Sequence, residues 1–388
     1  MTNAPRHDAH FHSRLSPPWP HSLVQLGGTP FAIGHQHGRC LGGAIQALER
    51  AFLEFLTQSY GGGLRGRLRG RAAHLLMRVI AGAMMLRYWP PAFREELRGV
   101  VTGMRDAGCG RFDRTRLAVI NTFDDMAGAW AVRSFACSAF AVPGEHGKML
   151  VGRNLDYQVI PHQLAAFNTL FVYYPQDRLP FVSLSWPGYI GVVTGVNRPL
   201  LSVNLLSVPA RDASCRGLPE GLVNRMLLED TSTPQEALER LAHLPRTVGM
   251  NLLLVSPHEG CVVESSHTRL IGRTSREGAL IATNHYATAE MEPLQVDCVR
   301  QLDSLLDHRF LTRDGSQQRA REIGAQVRVG MNVADVRRLL AAPSLVSGGQ
   351  VQSVVMDLGR GELWLADGMT LPVCRSEYRR MPLRDIFG

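Results

Sequence analysis

Along the first third of the chain, apolar residues recur at three- and four-residue intervals. The run LGGAIQALERAFLEFL (41–56) has this spacing and predicts a helix, as do stretches near 72–88, 91–106 and 114–129. Beyond residue 134 the period changes. Short runs rich in β-branched and aromatic residues follow one another: CSAFAV, KMLVGRNL, TLFVYY, FVSLSW, IGVVTGV and LLSVNLL. Gly, Pro, Asn or Asp separates several of them, the pattern of strands that pair mainly with their sequence neighbours. Helices are predicted at 219–230 and 233–244, where TSTPQEALERL opens on a capping hydroxyl and an early proline. A second strand series comes next (NLLLVS, GCVVESS, RLIGR, ALIATN), then helices at 293–307, 317–328 and 333–341. The chain closes on the hairpin pattern VQSVVMDLGRGELWLAD. Strands, helices, strands and helices in that order predict an α+β domain with two layered sheets.

Composition narrows the class. The chain has 388 residues, 45% of them apolar, enough for a sizeable core. No apolar run reaches the roughly 18 residues a bilayer span requires; LLMRVIAGAMML is short and carries Arg78. The start, MTNAPRHDAHFHSRLSPPWP, lacks a basic-then-apolar export pattern. Seven widely spaced cysteines without a CxxC pair indicate neither a disulfide framework nor a zinc knuckle. A cytoplasmic protein without an integral membrane segment is the expectation. The densest His/Cys group, HQHGRC with His35, His37 and Cys40, has no second ligand cluster to complete it, so neither metal nor cofactor is expected.

Charge is uneven. Residues 1–136 hold 17 arginines against 9 acids, and residues 137–388 hold 25 basic and 25 acidic side chains, so the net +8 lies wholly in the first part. GLRGRLRGR (63–71) invites a nucleic-acid reading. It has no interleaved aromatics and no binding motif, and a solvated helix start or a packing surface explains it better; no nucleic-acid partner is expected.

One cysteine has unusual company. A mid-strand Cys with apolar neighbours is ordinarily inert core. Cys137 in FACSAF, however, is followed sixteen residues later by Arg153 and then Asp156 in GRNLDY. The two runs read as adjacent strands turning at PGEHGK, which returns both charges to the cysteine's side. Such neighbours suit a nucleophile whose base is its own α-amine, freed by cleavage of the preceding peptide bond. That amine titrates near pH 7.7–8. An arginine by the sulfur would favour thiolate, and an aspartate would hold the new ammonium group.

Taken in order, Cys137, Arg153, Asp156, Asn204 in LLSVN after GYIGVVTGV, Asn284 in ATNHY and Arg300 in DCVRQL resemble the N-terminal-nucleophile hydrolases of the choloylglycine hydrolase superfamily. Within it the sequence is most similar to the acyl-coenzyme A:6-aminopenicillanate acyltransferase and acid ceramidase-like group. The likeness runs from about 134 to 310, with a weaker one at GGTPFAIGHQHG. The resemblance implies a four-layer αββα sandwich. It divides the chain into a helical N-terminal segment, 1–136, and a catalytic domain, 137–388, which stay associated after cleavage between Ala136 and Cys137. It implies Cys137 as nucleophile, Arg153 and Asp156 as orienting groups, and Asn204 as oxyanion donor. Asn284 and Arg300 match the remaining polar positions, and the substrate would be a small acyl amide or an acyl-coenzyme A. Ser138 stands where that group commonly has Thr, which keeps the hydroxyl. Two other readings stay open: a Cys/His enzyme using His285 with no chain cleavage, and a non-enzymatic module whose basic helices dock an anionic partner.

Overall fold

The computed structural model describes residues 22–110, 112–130, 135–275, 278–297, 308–366 and 368–388. The N-terminal part comprises β1 (Ser22–Gly28), α1 (Pro30–Ser59), α2 (Gly63–Val79), α3 (Pro91–Asp106) and α4 (Arg114–Ala129), with a π turn over Ile80–Met85 after α2. Then come β2 (Phe135–Pro143), β3 (Met149–Tyr157), α5 (Pro161–Ala166), β4 (Thr169–Pro175), β5 (Phe181–Ser185), β6 (Thr194–Asn197) and β7 (Ser202–Ser207). Helices α6 (Glu220–Asp230) and α7 (Pro234–Ala242) precede β8 (Met250–Val255), β9 (Gly260–Ser265), β10 (Leu270–Ser275) and β11 (Leu280–Ala282). The chain ends with α8 (His308–Leu311), α9 (Arg313–Gln326), α10 (Val333–Leu340), β12 (Gln350–Asp357), β13 (Glu362–Ala366), β14 (Tyr378–Pro382) and α11 (Leu383–Phe387).

The strands form two sheets, ordered β1-β4-β5-β6-β7-β8-β9-β10 and β11-β2-β3-β12-β13-β14. Strand alternation explains how they stack. On β2, Cys137, Ala139 and Ala141 face the apolar layer shared with the larger sheet, where Leu170, Val182 and Leu253 also lie. Phe140 and Val142 point the other way, to Ile323 of α9 and Val336 and Leu340 of α10. A bulge between Gln350 and Gln352 resets the parity of β12, so Val351, Val354 and Met356 all face inward. On the far side of the larger sheet, Leu228 of α6 packs over Gly195 and Leu238 of α7 over Gly272. The layers therefore run helix, sheet, sheet, helix, the α+β sandwich expected from the order of elements.

The N-terminal part is not purely helical, because β1 joins the larger sheet parallel to β4. Gln36 of α1 bonds both the N–H and the C=O of Gly27, at 2.9 and 3.0 Å, and so fixes the turn out of the strand. Helix α1 begins earlier than its hydrophobic run, with Thr29 as cap and Pro30 opening the first turn. It lies against α3 at backbone contact: a Cβ on Gly34 or Gly38 would meet the carbonyl oxygens of Glu96 or Val100 at 2.0 Å, and one on Gly103 would meet that of His35 at 2.1 Å.

Buried polar groups fasten these helices to the sandwich. His37 Nε2 accepts from the Gly188 N–H at 2.9 Å. Asn121 donates to the Gly188 carbonyl and accepts from the Ile190 N–H, both at 2.8 Å. Arg225 of α6 pairs with Glu96 of α3 at 2.7 Å, both side chains fully buried.

Candidate active site

The hairpin of β2 and β3 closes through the Gly144 N–H to the Lys148 carbonyl at 2.8 Å. Its register sets Cys137 opposite Leu155, Ala139 opposite Arg153, and Ala136 opposite Asp156. Strand parity then puts the Cys137 and Arg153 side chains on the inner face, with Ser138, Asn154 and Asp156 on the other. Cys137 is 1% exposed.

A third segment completes the group. Just after β11, the Asn284 side chain accepts the Cys137 N–H at 2.6 Å and an Arg319 N–H at 2.9 Å, and donates to the Ser207 carbonyl at 2.8 Å. Arg319 of α9 also donates to Ser138 Oγ at 3.2 Å and to the Phe310 carbonyl at 3.1 Å, with its guanidinium over the Phe310 ring. One carboxylate oxygen of Asp156 accepts from Ser347, and the other is buried without a hydrogen-bond partner among the described residues. Arg153 donates one N–H to the Leu205 carbonyl, while its Nε and second terminal nitrogen have no hydrogen-bond partner among the described residues. Arg153 thus shares the sulfur's face, Asn284 holds the Cys137 main-chain nitrogen, and Asp156 and Arg319 stand on the other side of the strand, where their charges still act on the thiol.

Burial dominates the electrostatics. It pushes the Cys137 thiol up to about 11, against the pull of Arg153, Arg319 and a hydrogen bond from the Asp156 main chain; the Asp156 carboxylate acts in the same direction as burial. Arg153 favours thiolate, as the sequence suggested, but in the intact chain its effect is outweighed. Asp156 is raised to about 7 by burial, partly offset by Ser347 and by the charges of Arg319 and Arg153. Arg319 is lowered to about 10 by burial, opposed by Asp156 and Cys137. The site is a desolvated cluster of one thiol, one carboxyl and two guanidinium groups.

Other expected residues lie differently. Asn204 on β7 is fully buried, and its amide donates to the Leu253 carbonyl at 3.2 Å and to Ser202 Oγ at 3.5 Å; no hydrogen bond joins it to Cys137. Arg300 lies outside the described residues, as does part of the helix predicted at 293–307. The His285 ring meets Thr283 and Ser316 hydroxyls, both at 2.9 Å, burial lowers it to about 4, and no hydrogen bond joins it to Cys137. His35 bonds Asp106 at 2.8 Å, whereas His37 turns to Gly188, so the two histidines of HQHGRC have separate partners.

Arg319 was not anticipated. Its signal in the sequence is the Ser316, Arg319, Ile323 spacing, which forms the buried face of α9. Without the fold, that spacing does not distinguish it from Arg321 two residues on.

Beside the site is an apolar cavity of about 90 Å³. Tyr157, two residues past Leu155 on the same face of β3, lines it with Trp186 and Tyr189, while Phe52 of α1, His74 of α2 and Phe123 of α4 close it from the N-terminal side. The Tyr157 hydroxyl donates to Asp124 at 2.8 Å.

Compared with known proteins, the chain matches the acyl-coenzyme A:6-aminopenicillanic acid acyl-transferase family over residues 142–340. It is 26% identical over 267 residues to the 40 kDa form of acyl-coenzyme A:6-aminopenicillanic-acid-acyltransferase of Emericella nidulans, a match covering 68% of each chain. An uncharacterized protein of Archaeoglobus fulgidus is 29% identical over 206 residues, 49% of this chain but only 33% of that one. Among solved structures, the Caenorhabditis elegans N-acylethanolamine-hydrolyzing acid amidase ortholog aligns with a TM-score of 0.42 and 17% identity, over 57% of this chain and 93% of that one. A mutant conjugated bile acid hydrolase from Clostridium perfringens aligns with a TM-score of 0.37 and 13% identity, over 63% and 96% respectively.

Proposed function

Because the chain belongs to the acyl-coenzyme A:6-aminopenicillanic acid acyl-transferase family, we propose that it is a self-processing cysteine enzyme of the amidohydrolase and N-acyltransferase kind, with Cys137 as nucleophile. The observation that carries this reading is the hold on the Cys137 main-chain nitrogen. The atom that would become the base is bonded at 2.6 Å to Asn284, and the residue before it sits opposite Asp156.

In maturation the Cys137 sulfur attacks the Ala136 carbonyl carbon, the peptide C–N bond breaks, and the nitrogen leaves as an amine. Water then hydrolyses the resulting thioester, giving an Ala136 carboxylate and a free Cys137 thiol and amine. The chain becomes 1–136 and 137–388, two fragments that stay associated. The unpartnered Asp156 oxygen is available to the new ammonium group. In turnover the amine takes the thiol proton, the thiolate attacks the acyl carbonyl, and the same proton passes to the departing amine. Water or an acceptor amine then takes the acyl group from sulfur. Arg153, with two donors unspent, is suited to the sulfur's negative charge, and Asn204 is the proposed oxyanion donor. The cavity behind Tyr157 is the proposed acyl pocket, for an acyl amide or an acyl-coenzyme A.

Denaturing mass spectrometry tests the reading directly. The purified protein should yield two fragments split between Ala136 and Cys137, and Cys137→Ala should stay full-length and inactive. Incubation with N-acyl amino acids, N-acylethanolamines, penicillins, conjugated bile acids and acyl-coenzyme A donors should release acyl products only from the split form. An active sample that is entirely full-length would falsify the mechanism.

A further inference from the structure

Helix α2 presents its apolar side to solvent. Leu64, Leu68, Leu75, Leu76 and Val79 are 66%, 60%, 57%, 56% and 56% exposed. At about 100° per residue they and the exposed Ala72 fall within an arc of about 120°. Gly66, Gly70, His74 and Met77, which pack on the protein, occupy the opposite side. Exposed arginines flank the stripe: Arg71 and Arg67 beyond one edge, Arg69 beyond the other, and Arg65 just inside that second edge. None of these four pairs with an acid among the described residues, whereas the half-buried Arg78 bonds Asp113 at 2.6 Å. Residues 55–94 contain seven arginines and no Asp or Glu.

A surface helix of an ordinary globular protein turns its polar face outward. A leucine stripe rimmed by unpaired arginines fits a helix lying in the plane of a membrane interface, with apolar side chains below the headgroups and guanidinium groups at the phosphates. We propose that α2 docks the protein on the surface of an anionic lipid bilayer. The charge pattern selects this occupant. A symmetric dimer through the stripe would set the arginine rims of two copies against each other, and a nucleic acid would leave the leucines unmatched, since such interfaces are polar. No described helix is long and apolar enough to cross the membrane, so the contact is peripheral. The packed side of α2 carries His74 into the wall of the apolar cavity. An acyl chain held there, on the reading above, would lie about one helix diameter, roughly 10 Å, from the lipid.

Co-sedimentation of the full chain with vesicles tests docking without reference to catalysis. Vesicles of phosphatidylcholine mixed with phosphatidylglycerol should bind roughly a hundredfold more tightly than phosphatidylcholine alone, with the difference shrinking as salt is raised. Leu68→Glu combined with Leu75→Glu, at exposed positions, should melt like the parent and abolish binding. Replacing Arg65, Arg67, Arg69 and Arg71 by Gln should erase the preference for anionic vesicles. Binding that ignores the leucine changes, or is equal on both vesicles, overturns the proposal. Two other results also overturn it when no vesicle binds: a dimer in size-exclusion chromatography that the leucine variant dissolves assigns the face to a second copy, and binding to an RNA or DNA oligonucleotide assigns it to nucleic acid.

Discussion

The Cys137 thiol is held neutral in the uncleaved chain, because burial outweighs two nearby guanidinium groups. On the proposed mechanism it would be a poor nucleophile toward substrate until cleavage frees the α-amine beside it. Arg153→Ala and Arg319→Ala should each shift the pH midpoint of iodoacetamide labelling of Cys137 upward, since each removes a charge that favours thiolate. An exposed pair contributes at most about 1 kcal/mol and would leave labelling almost unmoved, so midpoints identical to the parent would make both arginines scaffold. Asn204 needs a different test, because its amide already serves Leu253 and Ser202. If it also meets the oxyanion, Asn204→Ala should lower kcat by roughly a hundredfold to a thousandfold with little change in KM. A lowered melting temperature with kcat intact would make it a sheet-stabilising residue. Cys137, Arg153 and Asp156 were legible because two strands and a short turn fix their register, and alternation then fixes their faces. Arg319 was not, since it reaches Ser138 and Asn284 from a helix about 180 residues past Ser138, through a pairing that only tertiary packing creates.

At the scale of elements, the period of the hydrophobic pattern located most helices and strands, and it failed where packing rather than period decides. Strand β1 stands apart from both strand series and exists by pairing with β4, a partner far along the chain. The contact of α1 with α3 rests on glycines that carry no hydrophobic signal. Gly34, Gly38, Gly99 and Gly103 recur every four residues on the facing sides, and their lack of a side chain lets each helix meet the other's carbonyl oxygens. An alanine is the better helix former in isolation, so propensity alone favours Gly38→Ala. The added Cβ would instead meet the Val100 oxygen at 2.0 Å, and overpacking of this kind costs about 1–3 kcal/mol or more. Gly38→Ala and Gly103→Ala should therefore lower the melting temperature, whereas Gly43→Ala, where a Cβ meets nothing within 4 Å, should not. Equal effects at Gly38 and Gly43 would refute the close packing.

At the scale of the molecule, the N-terminal helices meet the sandwich across a buried group of acids. Asp125 of α4 accepts the Glu220 N–H at 3.0 Å, and Glu220 in turn accepts from Ser207, whose carbonyl holds Asn284. Burial raises both carboxyls, Glu220 well above its ordinary value; the Asp125 charge raises Glu220 further, and Asp124 adds to both. The folded protein therefore holds protons here that the unfolded chain has lost, and this contribution to stability falls as pH rises through and beyond the ordinary carboxylate range. Buried histidines act oppositely. His37, lowered to about 3, and His74, lowered to about 4, are neutral when folded, and they cost stability as pH drops below about 6.5. Glu220→Gln copies the protonated carboxyl and still accepts from Ser207. Relative to the parent it should change the melting temperature little at pH 4 and raise it by a few degrees at pH 8, the gain growing with pH between. Thermal unfolding of parent and variant across that range decides it, preferably on Cys137→Ala so that the chain is uniform. A gain independent of pH would mean that Glu220 is already ionised and paired within the fold, and that the joint between the N-terminal helices and the sandwich is not closed by a shared proton.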